Sequence, residues 1–235
     1  MFTTVLTVAG VGSAFIVIPT FYWLGVPLTE AMAIGLLLNA ISMTFASANY
    51  IRYKLVLFRT ALPIIALAVV FSPLGAWSTR FLPRKALVLL FVLFLVFAAS
   101  MMLFYKPKKK DAGDGGKELK TGIGLGIGAG YLGGLLGVGG GNLIVPALVW
   151  LGFDPKKASA TTAFIVVFSS LAGFFGHAAI DNIDSKMLTF AVLGSVSGAL
   201  AGSWLMHKKL DAGQVKRVLG IVLYAISIKM AWGLL

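Results

Sequence analysis

Clusters of Lys, Arg, Asp and Glu cut the chain into long apolar runs. Stretches free of all four cover 1–29, 31–51, 60–79, 86–105, 121–153, 158–180 and 187–206, and a last one, 218–235, is interrupted only by Lys229. An apolar helix of about 20 residues crosses the hydrocarbon of a bilayer, so the pattern predicts spanning helices at 31–51, 60–79, 86–105, 158–180, 187–206 and 218–235. Residues 121–153 do not fit: as one helix they would be about 50 Å long against a core of about 30 Å. Gly137–Gly141, with the sequence GVGGG, lies in their middle and has the least helical composition available. A break is expected there, either as an overlong broken span or as a re-entrant hairpin. The run 106–120, KPKKKDAGDGGKELK, reads as a solvated linker.

The two sides of that linker repeat each other. An ungapped shift of 127 residues places Val11-Gly12 on Val138-Gly139, Pro19 on Pro146, and Trp23-Leu24-Gly25 on Trp150-Leu151-Gly152. The same shift pairs Ser42 with Ser169, Gly75 with Gly202, and Trp77 with Trp204. Duplication follows, with an N-terminal repeat at 1–105, the linker at 106–120 and a C-terminal repeat at 121–235. The first half has its own version of the glycine break, GVGSA at Gly10–Ala14, behind a leading arm of only about nine residues. Duplicated halves are common in transporters.

Composition removes the soluble reading. Of 235 residues 59% are hydrophobic and 12% charged, and 28 are glycine; no single core hides that much apolar side chain. The mean hydropathy is +0.95. The formal net charge of +12 would suggest nucleic acid in a soluble chain. In a membrane protein it sets orientation instead, because Lys and Arg gather in cytoplasmic loops.

The charges also choose between the topologies. If both broken segments cross, the Lys/Arg count on the two faces is ten against nine. If both are re-entrant, loops 50–59, 106–120, 152–157 and 207–217 share a face with three, six, two and four Lys/Arg, fifteen in all against four. The second arrangement has the asymmetry of a bacterial inner-membrane protein. It leaves three crossings per half, an odd number, so the halves are inverted. The expected fold is therefore an all-α polytopic membrane protein of two inverted repeats, each a re-entrant broken-helix hairpin plus three transmembrane helices. The linker 106–120 is expected in the cytoplasm and both termini outside. Residues 1–29 carry no charge, so no basic region of a cleavable signal is expected.

Irregular backbone at membrane depth survives where it is buried in protein or lines a polar cavity. A helix starting after a glycine break presents free N–H groups and the positive end of its dipole, a ready anion site. Inversion would bring two such ends, at Gly12-Ser13 and at Gly139, Gly140, Gly141 and Asn142, toward one midplane point from opposite sides. Against this, membrane glycines often serve only close helix packing. The polar residues within the spans are Asn39, Ser42, Thr44, Thr161, Thr162, Ser169 and Ser170. They could replace an anion's hydration or simply bond between helices, the commoner fate. His177 reads as a membrane-edge residue, with a proton relay as the less favoured alternative, and Lys229 as a snorkelling side chain. Intramembrane carboxylates are absent from the sequence, which argues against a cation pump, a metal transporter or a carboxylate enzyme. Zero cysteines exclude thiolate chemistry and disulfides. The balance favours an anionic substrate, with no cofactor and no metal site.

GVGGG-NLIVPAL (Gly137–Leu148), followed by the polar run Ala158–Thr162, resembles the TauE/SafE family of sulfite exporters. The first half echoes it as GVGSA-FIVIP (Gly10–Pro19), with Asn39 and Ser42 downstream and Ser13 and Ala14 where the family usually has glycine. The resemblance implies an inner-membrane permease for sulfite, sulfonates or related organosulfur anions. It places the glycine turns at Gly12 and Gly139–Gly141 and the family's polar positions at Asn39, Ser42, Thr161 and Thr162. The leading expectation is a secondary transporter, not an enzyme, working by alternating access around a midplane site. The alternatives are an anion channel or a non-transporting membrane scaffold. The expected partners are a small anionic substrate and the lipid bilayer; nucleic acid is not among them, and a homodimer stays open.

Overall fold

A computed structural model describes residues 14–104, 115–178 and 212–232, together with Thr189. Continuous apolar sequence in lipid must satisfy its backbone within each segment, and the described residues fold accordingly as helices: α1 (Ala14–Trp23), α2 (Leu28–Arg52), α3 (Phe58–Ser78), α4 (Arg84–Phe104), α5 (Gly115–Leu135), α6 (Gly141–Trp150), α7 (Pro155–Ala178) and α8 (Ala212–Trp232). A single 3-10 turn, Thr79–Phe81, follows α3.

Four of these are long and apolar enough to cross a membrane: Leu28–Arg52, Phe58–Phe81, Arg84–Met101 and Pro155–Ala178. They coincide with four of the six expected spans. The expected span 187–206 lies outside the described residues apart from Thr189, as do Gly12, Ser13 and the first leading arm. In α8 the expected apolar run 218–235 is helical as far as Trp232. The charge-free part of α5 is 121–135, about 22 Å long and too short to cross a core of about 30 Å.

A shift of 127 residues, read from sequence identities, also matches helix boundaries. It carries α1, 14–23, onto 141–150, the bounds of α6. It carries α2, 28–52, onto 155–179, where α7 spans 155–178. It carries α4, 84–104, onto 211–231, where α8 spans 212–232. Pro19 and Pro146 each occupy the sixth position of their short helix.

Contacts fix the helix directions. Gly173 of α7 packs on Leu36 of α2, and Ser170 bonds Asn39, so α2 and α7 are antiparallel. Gly220 of α8 packs on Leu103 of α4, and Tyr224 bonds Ser100 at 2.6 Å, so these two are antiparallel as well. By contrast α3 and α5 run parallel. Gly122 and Gly126 lie on Ile64, Gly130 on Ala68 and Gly134 on Ser72. A Cβ on Gly130 would lie 2.6 Å from Ala68 Cα, whereas Gly124 and Gly128 have nothing within 4 Å. One four-residue stripe of glycine therefore lets two backbones touch, as small residues do in membranes, while the alternate glycines face open space.

Two ring contacts gather helix ends at one face. Arg84 lies 5.3 Å above the Tyr22 ring and Lys229 lies 4.2 Å above the Trp23 ring. Cation–π attraction thus holds the start of α4 and the end of α8 against the end of α1. Lys229 is exposed, as a snorkelling side chain should be.

Candidate functional site

The break in the 121–153 segment is a hairpin. After Leu135 the chain turns on three glycines in the left-handed region, Gly137 (φ 72°), Gly139 (φ 74°) and Gly140 (φ 74°), a conformation that costs any other residue. The turn closes through Val138 N–H to Gly133 O at 2.9 Å and Gly139 N–H to the same oxygen at 3.2 Å. Gly133 and Gly140 then abut backbone to backbone, and Gly140 packs against the Ala129 carbonyl. Beyond it, Ile144 and Leu148 of α6 share an apolar cluster with Ala129 and Leu125 of α5. As α6 advances it meets earlier residues of α5, so the chain returns the way it came. At ten residues α6 is about 15 Å long, half the hydrocarbon thickness.

Buried side chains from three helices hold the turn. Asn39 Nδ2 donates to Ser170 Oγ at 3.0 Å and to Val138 O at 3.5 Å. Ser169 Oγ donates to Gly139 O at 3.1 Å, and Ser72 Oγ donates to Ser169 O at 2.8 Å. His177 Nε2 meets Gly134 O at 2.9 Å; since a carbonyl only accepts, Nε2 carries the hydrogen. All five side chains are buried. Carbonyls released by the break are thus satisfied by protein, which is what allows irregular backbone at this depth. His177 is the correction here: it was expected at the membrane edge, but it is fully buried and ties α7 to α5.

The turn leaves the start of α6 polar. Gly140 is its left-handed cap, and no side chain caps the helix. Leu143 N–H bonds Gly140 O at 3.1 Å, and the Gly141 and Asn142 amides belong to the first turn of the helix, whose N–H groups have no partner within it. The lysines and arginines whose side chains are described are exposed, at helix ends and loops, and no group of three His, Cys, Asp or Glu occurs among the described residues.

The expected site residues divide between two places. Asn39 and Gly139 touch: a Cβ on Gly139 would lie 2.8 Å from Asn39 Nδ2 and against Ser170 Oγ. Gly140, Gly141 and Asn142 follow at the start of α6. Ser42 is buried one turn along α2 from Asn39. Thr161 sits nine residues before Ser170 on α7, about 13 Å away along the axis, where its Oγ1 accepts from Leu57 N–H at 3.0 Å and ties down the start of α3. The α2–α7 pairings at 36/173 and 39/170, continued, set Thr162 level with Ser47. Among the described residues, the oxygens Asn39 Oδ1, Ser42 Oγ, Ser47 Oγ and Thr162 Oγ1 are buried without a hydrogen-bond partner, and each such group costs about 1–3 kcal/mol in a fold that leaves it so. Ser170, Ser169 and Ser72 were not singled out as site residues. The antiparallel register of α2 on α7 is the signal that selects the first of them.

Half-helices α1 and α6 point opposite ways. The end of α1 joins the start of α2, the end of α6 joins the start of α7, and those helices are antiparallel. The start of α1 lies at Gly35, whose Cβ position is 3.5 Å from Ala14 Cβ, and the start of α6 lies beside Asn39, one turn further along α2.

The family model "Sulfite exporter TauE/SafE" matches residues 2–230. A probable membrane transporter protein of Bacillus subtilis, YunE, is 27% identical over 97% of this chain and 93% of its own length. Another probable membrane transporter protein, y4hK of Sinorhizobium fredii, is 24% identical over 86% of this chain and 81% of its own. Sulfite exporter TauE/SafE family protein 1 of Arabidopsis thaliana is 32% identical over 52% of this chain but only 27% of its own. No solved structure matches the chain.

Proposed function

We propose, because the chain belongs to the sulfite exporter TauE/SafE family of membrane transporters, that it is a secondary transporter for a small sulfur-containing oxyanion. The anion binds at the buried start of α6, among the Gly141 and Asn142 amides, Asn39 and Ser42. The observation that carries this reading is a buried helix N-terminus with no side-chain cap, beside buried polar atoms that lack partners among the described residues. Dipole and amides together favour an anion there.

The two halves form inverted repeats that rock about this point, giving alternating access. Coincident helix bounds under the 127-residue shift and the antiparallel α2–α7 and α4–α8 pairs support that arrangement. The linker 106–120 lies in the cytoplasm, with both termini outside.

Reconstituted protein should exchange labelled sulfite across a sealed vesicle in counterflow. Absence of flux for sulfite, thiosulfate, sulfoacetate and sulfate alike would remove the transporter reading, and large unitary currents under voltage clamp would replace it with a channel.

A further inference from the structure

We infer that the transported anion carries one negative charge and still bears a donor hydrogen: hydrogensulfite is carried, and the sulfite dianion is not. The inference rests on the anion-transport reading above and adds to it the protonation state of the cargo. Its origin is the orientation of one amide. Asn39 Nδ2 faces Val138 O and Ser170 Oγ, and because a backbone carbonyl can only accept, the nitrogen and not the oxygen must point at Val138. Oδ1 is thereby fixed. It belongs to a fully buried residue and accepts no hydrogen bond from the described residues.

The Asn39 amide lies against Gly139, two residues before the start of α6, and a buried acceptor beside an anion site makes it selective. An oxyanion held by the Gly141 and Asn142 amides turns its remaining edge to nearby side chains. Against Oδ1, a fully deprotonated edge sets lone pair on lone pair, while an edge bearing hydrogen makes a bond and removes the penalty of the orphan acceptor. Sites built to hydrogen-bond a substrate hydrogen reject analogues lacking it. Charge points the same way. Born desolvation grows with the square of the charge, so a dianion costs about four times as much as a monoanion to bring out of water. No lysine or arginine whose side chain is described is buried to offset it, and a helix end supplies only about half a unit charge.

The pH dependence then belongs to the cargo. The titratable side chains described on the elements packed around Asn39 are Tyr22 on α1, Glu30, Tyr50 and Arg52 on α2, Arg59 on α3, Tyr131 on α5, and Lys156, Lys157 and His177 on α7. The Asn39 amide instead donates to Val138 O and Ser170 Oγ. His177, two turns beyond Ser170, holds Gly134 O, and Tyr131 donates to Ser78 Oγ.

The test uses the full chain in proteoliposomes. Labelled-sulfite counterflow is measured from neutral to alkaline pH at fixed total sulfite, with empty vesicles as the blank. Flux should track the hydrogensulfite fraction, falling about tenfold per pH unit on the alkaline side. In a second arm, isethionate and ethanesulfonate compete for sulfite flux at one pH. Both are monoanions, but only isethionate carries a hydroxyl hydrogen, and it should compete at least tenfold better. Flux that is flat with pH, or that rises with the dianion, overturns the inference while leaving the transporter reading intact, as does equal competition by the two sulfonates. Loss of all flux at every pH removes both.

Discussion

Asn39 and Ser170 lie 131 positions apart in the chain, yet their side chains meet at 3.0 Å in the middle of the helix packing. This contact joins the first half of the sequence to the second at the point where the backbone breaks. Through Asn39 Nδ2 it reaches Val138 O, and the neighbouring Ser169 reaches Gly139 O. Two consecutive carbonyls of the turn are thus held by consecutive residues' partners from different helices.

Asn39→Leu removes the donor from Val138 O and Ser170 Oγ together and keeps the volume roughly constant. Orphaned buried acceptors cost about 1–3 kcal/mol each, so thermal unfolding in detergent should shift downward and sulfite counterflow should be lost. Ser170→Ala takes away one acceptor and leaves Val138 O bonded to Asn39. It should therefore unfold at a temperature between the wild type and Asn39→Leu. Equal stability of all three proteins would show that the clamp does not hold the turn.

Gly140→Ala tests the turn itself. At φ 74° an L-residue is strained, and the added Cβ meets the Ala129 carbonyl, so α6 cannot return along α5 unaltered. The left-handed conformation alone costs about 1–2 kcal/mol, and the collision adds to it. The variant should insert, as fluorescence of a fused reporter reads, but lose sulfite counterflow by at least tenfold. Full activity in Gly140→Ala would mean that the hairpin geometry is irrelevant to transport.

Glycines of α5 supply a paired test. Gly130 and Gly128 are two residues apart in the same helix, but only the first is pressed on another backbone. Gly130→Leu should abolish stable expression or move the monodisperse detergent peak into aggregate, since Ala68 cannot retreat. Gly128→Leu projects into open space and should behave as wild type. If the two variants express equally, the α3–α5 contact is not held by this stripe.

The sequence carried much of this structure in its spacing. Apolar run lengths located α2, α3, α4 and α7, because a helix in lipid needs only length and hydrophobicity. The position of the break was legible too, since three residues at positive φ within four positions favour glycine. What could not be read was which polar residues meet. Thr161 and Asn39 look alike in sequence, each a polar residue in an apolar run; only the rotation and register of α7 against α2 and α3 send one to Leu57 N–H and the other to the turn. His177 was misjudged for a related reason. Its position near a helix end suggests the membrane edge, but α5 covers that end, and Gly134, a glycine on the packed stripe, lets the ring reach a carbonyl. The alternation of glycine in 122–130 hid its meaning similarly: the period is two in sequence but four in contact, because a helix turns neighbouring even positions to different faces.

The last prediction concerns sidedness. Tyr224 bonds Ser100, and Gly220 packs on Leu103, so Trp232 at the far end of α8 lies with Arg84 and not with Phe104. The ring contacts agree, since Arg84 and Lys229 sit on adjacent residues, Tyr22 and Trp23. The linker after Phe104 and the end of α8 are therefore at opposite ends of the same helix pair. Lys and Arg bias puts the six basic residues of 106–120 in the cytoplasm. A reporter fused after Leu235 should then be active as alkaline phosphatase and dark as a cytoplasm-only fluorescent protein, while the same reporters fused within 106–120 should behave in reverse. If both fusion points report the same side, α8 does not pair with α4 across one membrane as it does here, and inversion of the two halves fails with it.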